Sequence, residues 1–316
     1  MHTAGKKSGL RNSQLHRSAS IIWNNKSLYI MMLPVIIYYI IFKYMPMYGA
    51  VIAFKDFSPG LGIWGSPLAD PWYHHFTDFF NNFYFGRILR NTLMISVLNL
   101  IFSFPIPIIL ALCINEMPFR RFKRFVQTAS YLPHFISIIV ICGIIRDFLL
   151  SDGVINEVIV QLGGKATPFL QKRQYFRTIY IVSEIWQKAG WSSIVYLSAL
   201  AGIDTSLFDA AKVDGAGRFR QILHVSLPGI MPTIITLLII QVGNMINVGY
   251  EKIILLYNPA TYETADVIST YVYRQGLENY SWSYSAAVGL FNSVISLILV
   301  LTANSISRRV NDSSLW

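Results

Sequence analysis

Long apolar runs separated by short polar segments dominate this chain. A helix that crosses a membrane needs about 20 mostly apolar residues. Six runs reach that length, at about 28–54, 91–114, 125–150, 178–203, 228–256 and 285–306. Several hold prolines, among them Pro46, Pro105 and Pro107. Neighbouring helices can satisfy the backbone groups such prolines free. The fourth run is the least apolar, because it carries Glu184 and Lys188. The pattern predicts an all-α integral membrane protein with six transmembrane helices.

Composition agrees. Of the 316 residues, 53% are hydrophobic and only 13% charged, against about 25% charged in a soluble domain. The surface therefore faces membrane lipid. A net charge of +10 could suggest nucleic acid, but the basic residues sit mainly between apolar runs, where they set topology. No nucleic-acid partner is expected. With both termini in the cytoplasm, the inner segments carry cations such as Lys6, Lys7, Arg11, Arg120, Arg121, Arg218 and Arg308. The outer loops hold fewer, among them Arg87, Arg173, Lys252 and Arg274, over a greater length. Cys113 and Cys142 lie inside apolar runs, so no disulfide framework is expected. No signal peptide stands out, and the first run reads as a retained helix.

The fourth loop is the informative one. It reads Asp209-Ala210-Ala211-Lys212-Val213-Asp214-Gly215, then nine residues, then Val225-Ser226-Leu227-Pro228. Ser206 followed by Asp209 resembles a capping box that starts a short helix. The alanines keep one face of it small. Gly215 can take the left-handed conformation that ends a helix. An amphipathic stretch from Arg218 follows, and Pro228 sits near the first turn of the fifth span, where it costs little. The outcome is a helix–turn–helix knob whose small face lets a partner approach closely.

This stretch resembles the EAA loop of binding-protein-dependent ABC importer permeases. That pattern is Glu-Ala-Ala, three residues, Gly, nine residues, then Ile-x-Leu-Pro, and here Asp209 stands for Glu and Val225 for Ile. The resemblance implies the type I ABC importer permease fold over about 90–309, with a coupling loop at 204–228. Ahead lie a cytoplasmic tail (1–27) and the first span with its outer loop (28–89), and a short tail (310–316) follows. It also implies a bacterial cytoplasmic membrane location and four kinds of partner: a second homologous permease, two copies of an ABC ATPase, an extracytoplasmic solute-binding protein and lipid. Asp209, Ala210, Ala211, Gly215, Val225, Leu227 and Pro228 would then dock in the ATPase. Segments such as Ala53-Phe54-Lys55-Asp56-Phe57 and Tyr271-Val272-Tyr273-Arg274 are similar to the carbohydrate-uptake branch.

An importer needs energy, yet no Gly-x-x-x-x-Gly-Lys-[Ser/Thr] loop occurs. Gly163-Gly164-Lys165 lacks the earlier glycine. The chain is expected to bind no cofactor, with ATP and Mg on the partner ATPase. No nucleophile–base arrangement or metal site is expected. His74 and His75 read as surface histidines without partners.

The fifth run carries Gln241, Asn244, Asn247, Tyr250 and Glu251. On one helix at about 100° per residue, the four polar ones fall within roughly a 120° arc. Intramembrane polar groups face a bundle interior or a wet cavity. Two readings stay open: a pathway for sugar hydroxyls, or interhelical glue. Glu184 and Lys188 have the spacing of an i,i+4 ion pair. The function expected is half of an oligosaccharide pathway working by alternating access. The alternatives are a permease for another solute, such as a peptide, or a stand-alone secondary transporter.

Overall fold

The computed structural model describes residues 25–311. Most of the predicted N-terminal tail, with Lys6, Lys7, Arg11 and Arg17, and residues 312–316 lie outside the described residues. Within them the chain is all-helical, and its extended pairing amounts to an isolated antiparallel bridge between Lys55 and Leu68.

The first helix, α1 (Lys26–Phe54), is apolar on every side and buries none of its most apolar window. Its last turn, at Tyr48–Phe54, alone packs closely on the body, against the final helix. After α2 (His74–Asn81), α3 (Phe85–Asn115) crosses as one 31-residue helix. The third predicted span is not a single helix. It divides into α4 (Arg120–Tyr131) and α5 (Ile138–Leu149), with a tight turn at Leu132–Phe135 between them. Pro133 in that turn can neither donate nor continue the ladder, and Ser137 caps the new start by accepting from the Val140 N–H.

A short helix, α6 (Val154–Gln161), leads to α7 (Arg173–Ala201). This predicted weakest span is a 29-residue helix, about 43 Å long at 1.5 Å per residue. It packs against α3 and α4 and forms the centre of the bundle. Gly190 makes the close approach possible, because a Cβ there would collide with the Ser130 carbonyl.

Next come α8 (Thr205–Val213), set at 72° to α7, and α9 (Arg218–Gly229). A 59° bend then leads into α10 (Met231–Gly243). The fifth predicted span also breaks. After Gly243 the chain leaves the helix until α11 (Tyr250–Leu256). The order closes with α12 (Ile268–Tyr273) and the long α13 (Trp282–Asn311). Among the described residues, three helices are long and apolar enough to cross a membrane (α1, α3, α13), or up to five if each bent pair is one span. The sixth span expected from sequence is the divided α4–α5 run.

Three widened turns share a cause. They lie at Ile40–Tyr44, Asn99–Ser103 and Ile222–Ser226, and each shortly precedes a proline, at 46, 105 and 228. A proline leaves the carbonyl four residues earlier without its donor and crowds it. Those carbonyls belong to Phe42, Ile101 and His224, the middle residue of each turn. The ladder relaxes there to i→i+5 bonding, the usual π-bulge.

Candidate functional site

Two features stand apart from ordinary packing: a cavity beside the break in the fifth run, and the knob at α8–α9.

The break builds the cavity. Between Gly243 and Tyr250 the backbone carbonyls lose their helical partners, and side-chain hydroxyls replace some of them. Ser96 on α3 donates to the Met245 carbonyl, and Ser269 on α12 donates to the Val248 carbonyl (3.0 Å). The space left is a cavity of about 510 Å³. Its walls are Ser96, Asn99 and Ser103 from α3, Glu184, Lys188, Trp191 and Tyr196 from α7, and Gln241, Asn244 and Asn247 from α10 and the break. Trp191 stacks on His134 (4.5 Å between centroids, 3° between planes), which fixes the plane of its indole.

Gln241, Asn244 and Asn247 thus meet in one place because the helix ends, not because it presents one face. Asn247 Oδ1 accepts from Asn292 on α13 (2.7 Å). Tyr250 and Glu251 are not on the lining. Tyr250 stacks instead on Tyr273, with centroids 6.1 Å apart.

The wall on α7 contains an ionic triad. Glu184 Oε1 pairs with Lys188 at 2.5 Å, at the expected i,i+4 spacing. Glu184 Oε2 pairs with Lys252 at 3.0 Å. Lys252, expected among the outer-loop cations, is only 2% exposed and also donates to Gln187 Oε1 (3.3 Å). Its position inside the apolar run 228–256 was the available signal, since a lysine at membrane depth marks a functional or paired site.

The knob is built locally. Asp204, not Ser206, caps α8: its Oδ1 accepts from the Ser206 N–H (2.9 Å). That bond holds the Asp204 carboxyl below the usual aspartate range. Asp209 instead pairs with Lys212 (3.0 Å) on the surface. Gly215 lies at φ +74°. The Ala216 N–H reaches the Ala211 carbonyl (2.9 Å), and the Gly215 N–H the Lys212 carbonyl (3.0 Å). This pair of bonds is the Schellman ending, which needs a left-handed residue at that place. Gln221 ties α9 back to the turn by donating to the Ala216 carbonyl (2.8 Å). Asp209, Ala210, Gly215 and Pro228 are exposed, and Ala211, Val225 and Leu227 are half-buried. Leu207, Val213 and Phe219 are also exposed, and Val213 is 88% exposed. Exposed large apolar side chains of this kind are a feature of protein-interaction surfaces when they form one patch.

A third cluster went unforeseen. Asp266, fully buried, accepts from Arg274 at 2.7 Å, lies 3.5 Å from Arg87, and accepts from the Thr270 hydroxyl (2.9 Å). Asn91 donates to the carbonyls of Glu263 and Asp266 (both 3.0 Å) and accepts from Arg177 (2.8 Å). Burial opposes the charge of Arg274, but the hydrogen bond and charge of Asp266 outweigh it and hold the guanidinium above the ordinary arginine pKa. Partners this far apart in sequence leave no local signature. His74 and His75 are not partnerless either: His74 pairs with Asp78 (3.1 Å), and His75 faces Asp56 (3.3 Å). Ligand atoms of His74, His75 and Asp78 lie within 4.8 Å of one another.

Comparison with known proteins gives a consistent picture. The family described as "Binding-protein-dependent transport system inner membrane component" matches residues 79–312. Protein LplB of Bacillus subtilis (strain 168) is 44% identical over 293 residues, covering 92% of each chain. The polygalacturonan/rhamnogalacturonan transport system permease protein YteP of the same organism is 44% identical over 292 residues, covering 92% of this chain and 90% of its own. Among solved structures, a chain of a bacterial alginate ABC transporter, crystallised with an alginate pentasaccharide-bound periplasmic protein, superposes with a TM-score of 0.85. It is 44% identical, and the match covers 94% of this chain and 99% of that one.

Proposed function

The chain belongs to the inner membrane components of binding-protein-dependent transport systems, and from that premise we propose that it forms half of an oligosaccharide pathway in an ATP-driven importer. It is a multi-pass membrane protein and a transport subunit rather than an enzyme. The other half of the pathway would be a second, homologous permease. Two ATPase subunits carrying ATP and Mg would supply the work, and an extracytoplasmic binding protein would deliver the cargo. Both termini would lie in the cytoplasm.

The observation that carries the reading is the cavity at the break. Oligosaccharides offer hydroxyls and flat apolar ring faces. The lining offers the amides Gln241 and Asn244 beside the rings of Trp191 and Tyr196. Sites of this kind, apolar with a few placed polar groups, are the default binding hypothesis. YteP and the alginate transporter both handle polysaccharides, as their names state. For Asn247 the bond to Asn292 favours the glue reading, and Tyr250 and Glu251 stand outside the cavity.

The exposed knob supports a role for Asp209, Ala210, Ala211, Gly215, Val225, Leu227 and Pro228 in docking the ATPase. Nucleotide-driven closure would carry α8–α9 with it and reorient the spans as rigid bodies. Only contacts that differ between the two states can transmit that work.

The test is uptake by the reconstituted complex. Asn244→Ala should weaken oligosaccharide transport several-fold while the ATPase subunits stay bound. Unchanged affinity and rate would move Asn244 from pathway to packing.

A further inference from the structure

The charge around the cavity does not balance. Among the described residues lining it, Glu184 and Lys188 are the acidic and basic ones. They are not an isolated pair. The Glu184 carboxylate is also held from behind by Lys252, at 3.0 Å. Lys252 is 2% exposed and has Gln187 as its other polar partner (3.3 Å). A buried ammonium left without its carboxylate is strongly destabilising, so the charge of Glu184 is committed to Lys252. Lys188 is different: its side chain is 56% exposed and lies on the cavity wall. Two cations share one anion, and the surplus positive charge faces the cavity.

A neutral oligosaccharide has no use for that surplus, since the amides and rings already meet its hydroxyls and faces. A cation in a cleft with low-dielectric walls concentrates anions and repels cations. The obvious anion on a sugar is a carboxylate. We infer that Lys188 is a specificity-determining residue: it leaves Glu184 to pair with a carboxylate of the cargo, which makes acidic, uronate-bearing oligosaccharides the preferred class. Glu184 stays compensated by Lys252 when Lys188 departs, so the exchange strands no buried charge. This inference rests on the oligosaccharide reading above and adds the charge of the cargo to it.

The experiment measures equilibrium binding to the purified importer complex in lipid nanodiscs, without the binding protein, so that selectivity upstream does not contribute. The probes are a galacturonate trisaccharide and its methyl ester, which keeps the sugar and removes the charge. The wild-type complex is expected to bind the acid about tenfold more tightly than the ester, the effect of a charge-assisted hydrogen bond near the lower end of its range. Lys188→Gln should abolish that preference, with the loss of affinity falling mainly on the acid. Lys188→Arg should retain it, which a merely structural loss of the side chain would not produce.

No preference in the wild-type complex, or a full preference in Lys188→Gln, overturns the inference. So does an equal loss for both probes in Lys188→Gln, which would make the triad structural. If the wild-type complex bound neither probe, the oligosaccharide reading itself would fail, a result distinct from a failure of Lys188.

Discussion

The two ends of the molecule are built on opposite principles. At one end, Asp266, Arg274, Arg87, Asn91 and Arg177 join segments as much as 179 residues apart, and Asp266 and Asn91 are almost wholly buried. At the other end, the knob of α8 and α9 is held by bonds between residues two to five apart, and its apolar side chains stand exposed. The first region satisfies itself within the chain. The second leaves its large apolar side chains uncovered by the chain itself. Damage to the Asp266 cluster should therefore appear as lost stability of the whole subunit. Damage to the knob should appear as lost coupling in a subunit that still folds.

Asp266→Ala is the strongest test. It leaves Arg274 and Arg87 with no carboxylate in a largely buried site, and breaking such a pair costs about 3–5 kcal/mol. Thermal unfolding of the purified subunit should show a large drop in midpoint. A loss below about 1 kcal/mol would erase the distinction drawn here. Asn91→Ala comes next: it removes three hydrogen bonds, and the groups left unpaired predict a loss of about 1–3 kcal/mol in the same measurement.

Gly215→Val moves to the other side of the comparison. Forcing a β-branched residue to φ +74° costs about 1–2 kcal/mol, confined to an exposed turn. The midpoint should stay near that of the wild type while cargo-stimulated ATP hydrolysis fails. Normal coupling with a reshaped turn would count against the knob as the docking surface. The mildest effect is one of pH. The Asp204 carboxyl is held below its ordinary range by the Ser206 N–H, so its capping contribution is complete above the unfolded aspartate pKa. It is lost as pH falls through the lower, folded value. Amide protection factors in Thr205–Val213, taken relative to intrinsic exchange at each pH, should fall in acid for the wild type, and already be lower at neutral pH for Asp204→Ala. If the two proteins matched at neutral pH, the cap would have no role in holding α8.

The same contrast explains what could be read from the sequence. The knob was legible because its parts are contiguous: a spacing of small residues, a glycine and a proline suffices to place it. Even there the cap was misplaced by two residues, because Ser206 and Asp204 are both capping residues and only the backbone decides between them. The all-helical class was legible from apolar run length. The divided third run and broken fifth run were not, since run length measures hydropathy and not hydrogen bonding. Gly243 and Gly249, which flank the fifth-run break, were a faint sign. The Asp266 cluster and the partner of Lys252 could not be placed, because they join distant segments: Glu184 lies 68 residues from Lys252.

The break has one more consequence, for insulation. Its preceding helix α10 is 13 residues long, about 20 Å at 1.5 Å per residue, while the hydrocarbon layer is about 30 Å thick. A helix that starts at one face thus ends inside the layer. Loose backbone at that depth is tolerated only where protein buries it or water reaches it. Such a notch at membrane depth would thin the electrical barrier between the two sides of the membrane. The remaining thickness would then carry the membrane voltage alone, and a leak of small ions is the failure such an architecture would have to resist.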